Sequence, residues 1–155
     1  MISGVTEETA RPRKILQSVG ALFAGFVANV ALSLGTDVGL RAIGILPALA
    51  QPATDLQLLL AAAYRTVYGV VSSYIVARLA PNRPMEHALL GGAIGMVLGI
   101  IGAGVTWNRG LGPHWYSVAL VVTALPGAWA GGKLRVLQIL KRTEQLMFAE
   151  QEDIR

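Results

Sequence analysis

The chain has 155 residues, of which 54% are hydrophobic and only 14% charged, against about a quarter charged in ordinary soluble domains. Mean hydropathy is +0.54, and the charges gather at the ends and in short connecting stretches, so a water-facing surface is hard to build and the bilayer becomes the solvent. Cysteine is absent, which excludes disulfide frameworks, thiolate metal sites and thiol catalysis. The net charge of +4 is explained by orientation in a membrane rather than by nucleic acid, because the basic residues flank apolar runs with no stacking aromatics between them.

Residues 1–10 are polar and mildly acidic, and 1–14 is expected to form a disordered cytoplasmic lead-in. Arg11, Arg13 and Lys14 precede an apolar run from Ile15 that is longer than the core of a secretion signal and lacks a polar cleavage boundary, so it is read as a retained first helix. The first span is placed at 15–35. Apolar character persists to Ile45, about 30 residues or roughly 45 Å of helix, which exceeds a hydrocarbon core of roughly 30 Å. A break is therefore expected at Gly35-Thr36-Asp37, after which Val38 to Leu46 either continues past the bilayer or lies along the outer interface.

Pro47 and Pro52 bracket a loop, and Thr54-Asp55 makes a good helix start. The second span, 56–79, ends at Arg78 before the rigid basic turn from Ala80 to Pro84. The third, 87–107, is rich in glycine and leads into a loop from Asn108 to His114. The fourth, 115–132, opens on Trp115-Tyr116, whose amphipathic rings suit the headgroup level, and closes on Gly131-Gly132. Residues 133–155 carry Val136, Ile139, Leu140, Leu146 and Met147 at roughly helical spacing between basic residues. They are expected to form a cytoplasmic amphipathic helix, lying on the inner leaflet or extending the fourth span, and then a solvated tail. The predicted fold is an all-α, integral membrane four-helix bundle with that C-terminal helix.

Lysine and arginine fix the orientation. One side collects Arg11, Arg13, Lys14, Arg78, Arg83, Lys133, Arg135, Lys141 and Arg142, whereas the short loops of the other side hold only Arg109. The expectation is a multi-pass protein of a bacterial inner membrane with both the N-terminus and the C-terminus in the cytoplasm.

Arg65 is the first candidate functional residue. About 13 residues from Arg78, it falls close to the midplane, where an arginine costs at least about 2.5 kcal/mol and must face protein, water or a paired group. Tyr68 and Ser72 follow at i+3 and i+7 on the same face, with Tyr64 beside them. Two readings are open: a polar path or binding pocket, or a structural clasp in which Arg65 meets Asn29, helix carbonyls or Asp37. Asp37 precedes Arg41 by four residues, the favourable order for a pair on one helix, and alternatively reaches Arg65 across the bundle.

Gly91, Gly95, Gly99 and Ala103 repeat every four residues along the third span, and Ala21, Gly25, Asn29 and Ser33 do so in the first. Such small-xxx-small stripes are read as faces for close helix packing, within one protomer or between copies. Pro126 is expected to kink the fourth span. His87 and His114 fall on opposite sides of the membrane and so cannot form a two-histidine metal site; no metal cluster, phosphate loop, nucleophile elbow or dinucleotide fingerprint is present, and no cofactor is implied.

The motifs Ala63-Tyr64-Arg65-Thr66-Val67-Tyr68-Gly69, Ala77-Arg78-Leu79-Ala80-Pro81 with Arg83-Pro84-Met85, and Leu125-Pro126-Gly127-Ala128-Trp129 with Gly131-Gly132 together resemble those of an uncharacterised family of small bacterial four-helix inner-membrane proteins. The resemblance covers about residues 15 to 135. It implies the membrane class and a marked position at Arg65, and carries no activity. The sequence does not look like the small multidrug exporters, whose first helix holds a membrane-embedded glutamate; here the first span offers only Asn29 and Asp37.

The expected function is that of a non-enzymatic structural or accessory membrane protein in which Arg65, Tyr68, Asn29 and Asp37 form a buried network. The alternative is a small transporter or channel with a hydrated path around Arg65, for an anion because the deepest charge is positive. Expected partners are the lipid bilayer and either further copies of the chain or another membrane protein, with no nucleic acid.

Overall fold

The computed structural model describes residues 3–49, 51–107 and 113–153, with side chains from 14 to 152 within them. The chain is all-α, 87% helical, with no strand among the described residues. The helices are α1 (Ser3–Ala42), α2 (Asp55–Leu79), α3 (Pro84–Thr106) and α4 (His114–Asp153). Each is long and apolar enough to cross a membrane, which makes the chain a multi-pass membrane protein.

Each boundary has a local cause. α1 passes through Gly35-Thr36-Asp37 without the expected break and stops at Ala42. There Gly44, at φ +77°, takes the left-handed turn that lets the Ile45 and Leu46 amides reach back to the Leu40 carbonyl. Nothing at Gly35 forces a break, because an isolated glycine lowers helix propensity without interrupting the hydrogen-bond ladder. α2 opens on a capping box: the Thr54 side chain accepts from the Gln57 amide while the Gln57 side chain accepts from the Thr54 amide. Gln57 also donates to the Ile45 carbonyl and Arg41 to the Pro47 carbonyl, so the 43–54 connection is tied to both helices it joins. α2 ends at Leu79, two residues before Pro81, and Pro84 starts α3 from the left-handed Arg83, a four-residue turn that forces α2 and α3 antiparallel.

One end differs from the sequence expectation, and the other takes one of the two arrangements expected of it. The lead-in over 1–14 is helical from Ser3 on, since extending an existing helix costs far less than nucleating one. α4 is one unbroken 40-residue helix through Pro126, so residues 133–153 continue the fourth span rather than forming a separate helix on the leaflet. The expected loop at Asn108, with Arg109, and the last residues of the tail lie outside the described residues.

α4 packs on both α2 and α3, whereas α1 rests mainly on α2, touches α3 lightly and does not pack on α4. The buried apolar residues are small: Ala21, Ala61, Ala77, Ala88 and Ala128, with Val76 and Leu46. The large ones, such as Phe23, Leu34, Leu59, Ile101 and Val122, point outward. That inversion suits a bilayer, where lipid tails solvate leucine and the helices gain by close backbone approach. Three glycines make the approach. A methyl on Gly92 would lie 2.3 Å from the Ala128 Cβ, one on Gly131 2.4 Å from the Val70 carbonyl oxygen, and one on Gly25 2.3 Å from Val76. The Gly91, Gly95, Gly99 and Ala103 stripe is not the tightest face of α3. Gly95 has open space beside it, and its stripe-mates Gly91 and Gly99 meet only side-chain tips, of Leu22 and Val121.

Candidate functional site: a charge cluster above a lateral cleft

Asp37 is one of two buried polar residues among those described, the other being Ser73. It sits in the last turns of α1, and its two oxygens face α2. Oδ1 accepts from the Tyr64 hydroxyl, and Oδ2 accepts from Arg65 Nη2 at 2.7 Å. The other guanidinium arm of Arg65, Nη1, donates to the Tyr116 hydroxyl of α4 at 2.7 Å, and the guanidinium carbon lies 5.9 Å from the centre of that ring. Arg65 thereby links α1 to α4, which do not pack on each other. Arg41 adds a longer contact to Asp37 at 3.8 Å. Two cations thus surround one carboxylate, and the cluster carries a net positive charge.

Depth follows from helix geometry. The Arg65 Cα is ten residues, roughly 15 Å, from the start of α2, which is near the midplane. Its partners are not. Asp37 is five residues before the end of α1, roughly 8 Å, and Tyr116 is two after the start of α4, roughly 3 Å. Helical side chains slant toward their helix N-terminus, so Arg65 carries its charge up α2 toward the end bearing the 43–54 loop. The charge therefore sits above the midplane position expected from sequence spacing.

The other sequence-selected residues divide. Tyr68 stands against Tyr64, ring centres 5.7 Å apart, and shares a 2.7 Å hydroxyl–hydroxyl bond with Thr36, next to but outside the charge cluster. Ser72 donates to the Gly69 carbonyl of its own helix. Asn29 does not reach Arg65: its Oδ1 is buried without a hydrogen-bond partner, as is Arg65 Nε. Tyr116 and Thr36 belong to the site and were not singled out from the sequence. Tyr116 reads there as a headgroup-level ring, and only its place at the start of a helix, level with the end of α1, hints at more.

Below the cluster a cleft of about 490 Å³ runs between α1 and α3, floored by α2 and α4. Asn29, Ser33, Thr66 and Ser72 line it with Gly95 and Gly99, and Arg65 closes one end. Phe26 and Val30 of α1 and Ile94 and Leu98 of α3 also line it and are among the exposed apolar residues, so the opening faces the lipid side of the bundle. The glycine stripe thus widens a cleft.

Comparison with known proteins finds no matching family model, no matching curated protein and no matching solved structure. Among the described residues no group of three or more histidine, aspartate or glutamate side chains converges in a way that could hold a metal ion. His87 is hydrogen-bonded to Ser18 at 2.9 Å, tying α3 to α1, and His114 bonds the Trp107 carbonyl and stacks on that ring. Both serve local packing. The one carboxylate of the cluster is occupied by Tyr64 and Arg65, an arrangement that holds helices and offers no acid–base pair around a free reacting position.

Proposed function

We propose that the chain is a non-enzymatic structural or accessory protein of a bacterial inner membrane, multi-pass with both ends in the cytoplasm, whose α1 is clasped to the α2–α4 pair by Arg65, Asp37, Tyr64 and Tyr116. Membership of the small four-helix family that its motifs resemble belongs to this proposal. The orientation rests on the asymmetry of lysine and arginine between the two ends. One observation carries the functional reading: both terminal nitrogens of the deepest cation are committed to groups on two other helices, as a structural clasp requires and a solute-binding charge does not. A clasp of this kind fixes register and helix order, a use well attested for buried polar groups.

A second reading has its own support. The cleft reaches Arg65, about a third of whose side chain is open (32%), and the unpartnered Asn29 Oδ1 lies along it, so the same cluster can end a polar route for an anion.

The two readings differ in hydration. The cysteine-free chain allows single cysteines at Ser72 in the cleft, Val71 on the lipid side and Gln51 in the loop, exposed from both faces of the membrane to a small water-soluble thiol reagent. Protection at Ser72 and Val71 with rapid labelling at Gln51 is expected. Labelling of Ser72→Cys at a rate near that of Gln51→Cys would replace the clasp by the conducting route.

A further inference from the structure

Arginines without acids gather at the opposite end of the bundle. The salt bridges among the described residues use Arg41, Arg65 and Arg83; Arg78 and Arg135 take part in none. These two are brought together by the fold. Arg78 lies one turn beyond Tyr74 on α2, and Arg135 one turn before Gln138 on α4. A 2.7 Å hydrogen bond from the Tyr74 hydroxyl to Gln138 Oε1 joins the two faces, and each arginine stands one helical turn from an end of that bond. Just above, Gly131 brings the α4 backbone against Val70 and Tyr74, so α2 and α4 are in close contact on the side toward the bilayer centre. Arg135 Nε is buried there without a hydrogen-bond partner.

The level of these two arginines identifies what can pair with them. Trp129 is half exposed on α4, with Lys133 Nζ 4.5 Å from its ring centre, the pairing of aromatic ring and cation expected where a helix leaves the hydrocarbon. Arg135 is six residues on from Trp129 and Arg78 is in the last turn of α2, so both guanidinium groups stand among the lipid headgroups. Tyr74 commits its proton to Gln138, leaving an oxygen that accepts and cannot neutralise either cation. A phosphate oxyanion can, since each planar guanidinium offers two parallel N–H donors to a pair of phosphate oxygens.

We propose that Arg78 and Arg135, positioned by Tyr74 and Gln138, bind the phosphate of an anionic phospholipid in the leaflet at the basic end of the bundle. The site is built from two helices, unlike the dispersed attraction that any basic tail exerts on an acidic membrane.

The test compares equal changes of charge. The purified full-length chain, in zwitterionic detergent, is titrated with phosphatidylglycerol or with phosphatidylcholine, and retained lipid is counted by native mass spectrometry. The unsubstituted protein should retain phosphatidylglycerol in preference to phosphatidylcholine. The double variant R78Q/R135Q should weaken that binding by roughly tenfold or more, whereas K141Q/R142Q, which removes the same charge from the exposed part of α4, should weaken it by less than about threefold. Each single variant, R78Q or R135Q, retains one guanidinium and most of the native packing and should lose more than K141Q alone. Equal losses in the two double variants, or single variants no weaker than K141Q, would overturn the proposal in favour of diffuse attraction. Inorganic phosphate should not displace the lipid at millimolar concentration. Displacement would assign the two arginines to a soluble phosphate and overturn the lipid assignment.

Discussion

Asp37 accepts a hydrogen bond from Tyr64 and one from Arg65 while a second cation, Arg41, stands 3.8 Å away, and these contacts differ in worth because only the first two are within hydrogen-bond reach. A hydrogen bond to a charged acceptor contributes about 1.5 kcal/mol or more, a neutral pair between membrane helices nearer 0.6 kcal/mol. Tyr64→Phe should therefore cost about 1.5 kcal/mol of stability in detergent, and Tyr68→Phe, which loses only the hydroxyl bond to Thr36, less than half as much. Arg41→Gln should cost less than about 0.5 kcal/mol, since its contact to Asp37 is too long for a hydrogen bond. Denaturation of the three variants side by side checks the order. Arg65 itself was legible in the sequence because its insertion cost demands a partner, and Asp37 was one of the partners that spacing allowed. Tyr116 was not legible: it is 51 residues away, and an aromatic at the start of a span has an ordinary explanation at the headgroup level.

The helices meet through glycines that periodicity alone does not choose. Gly91 and Gly92 are adjacent, yet about 100° apart around α3. Gly92 is pressed against Ala128, and Gly91 faces the cleft toward Leu22. A four-residue repeat selects the cleft face because it counts small residues without knowing where the neighbour lies. Gly131→Val should therefore push α4 off α2 and cost about 2 kcal/mol or more, while Gly95→Ala, with open space at its Cβ, should change stability by less than about 1 kcal/mol; melting temperatures in detergent distinguish them. Helix ends were legible where a capping residue or proline sets them, as at Thr54 and before Pro81, but the start of α3 at Pro84 was read three residues late, and ends were illegible where only polarity was available. No glycine or proline follows Gly132, so α4 continues to Asp153, past its last hydrogen bond to α2 at Gln138. Residues 137–152 are exposed throughout, so ending the chain after Arg142 should leave the melting temperature of the bundle unchanged within about 3 °C. A larger fall would mean that the extension supports the bundle.

The whole molecule is three closely packed helices with a fourth attached along one side. α2, α3 and α4 approach through Gly92, Gly131 and Gly132, whereas α1 is held at its basic end by Gly25 and the Ser18–His87 bond, and at its other end by the charge cluster. Between those two attachments the cleft separates α1 from α3. The class and the number of spans were legible because hydrophobic length is a physical requirement of the bilayer; which helix would be peripheral was not, since all four are comparably apolar. Arg65 and Asp37 should act as one clasp between α1 and the rest. A double-mutant cycle tests it, with Asp37→Asn, Arg65→Met and the double variant unfolded in the same detergent. The clasp predicts that Asp37→Asn is the most damaging of the three, because it leaves the guanidinium without its counter-charge, and that the pair is coupled by about 2 kcal/mol or more. Single-variant costs that add to the double within about 0.5 kcal/mol would mean that the two groups act independently, and would contradict the account.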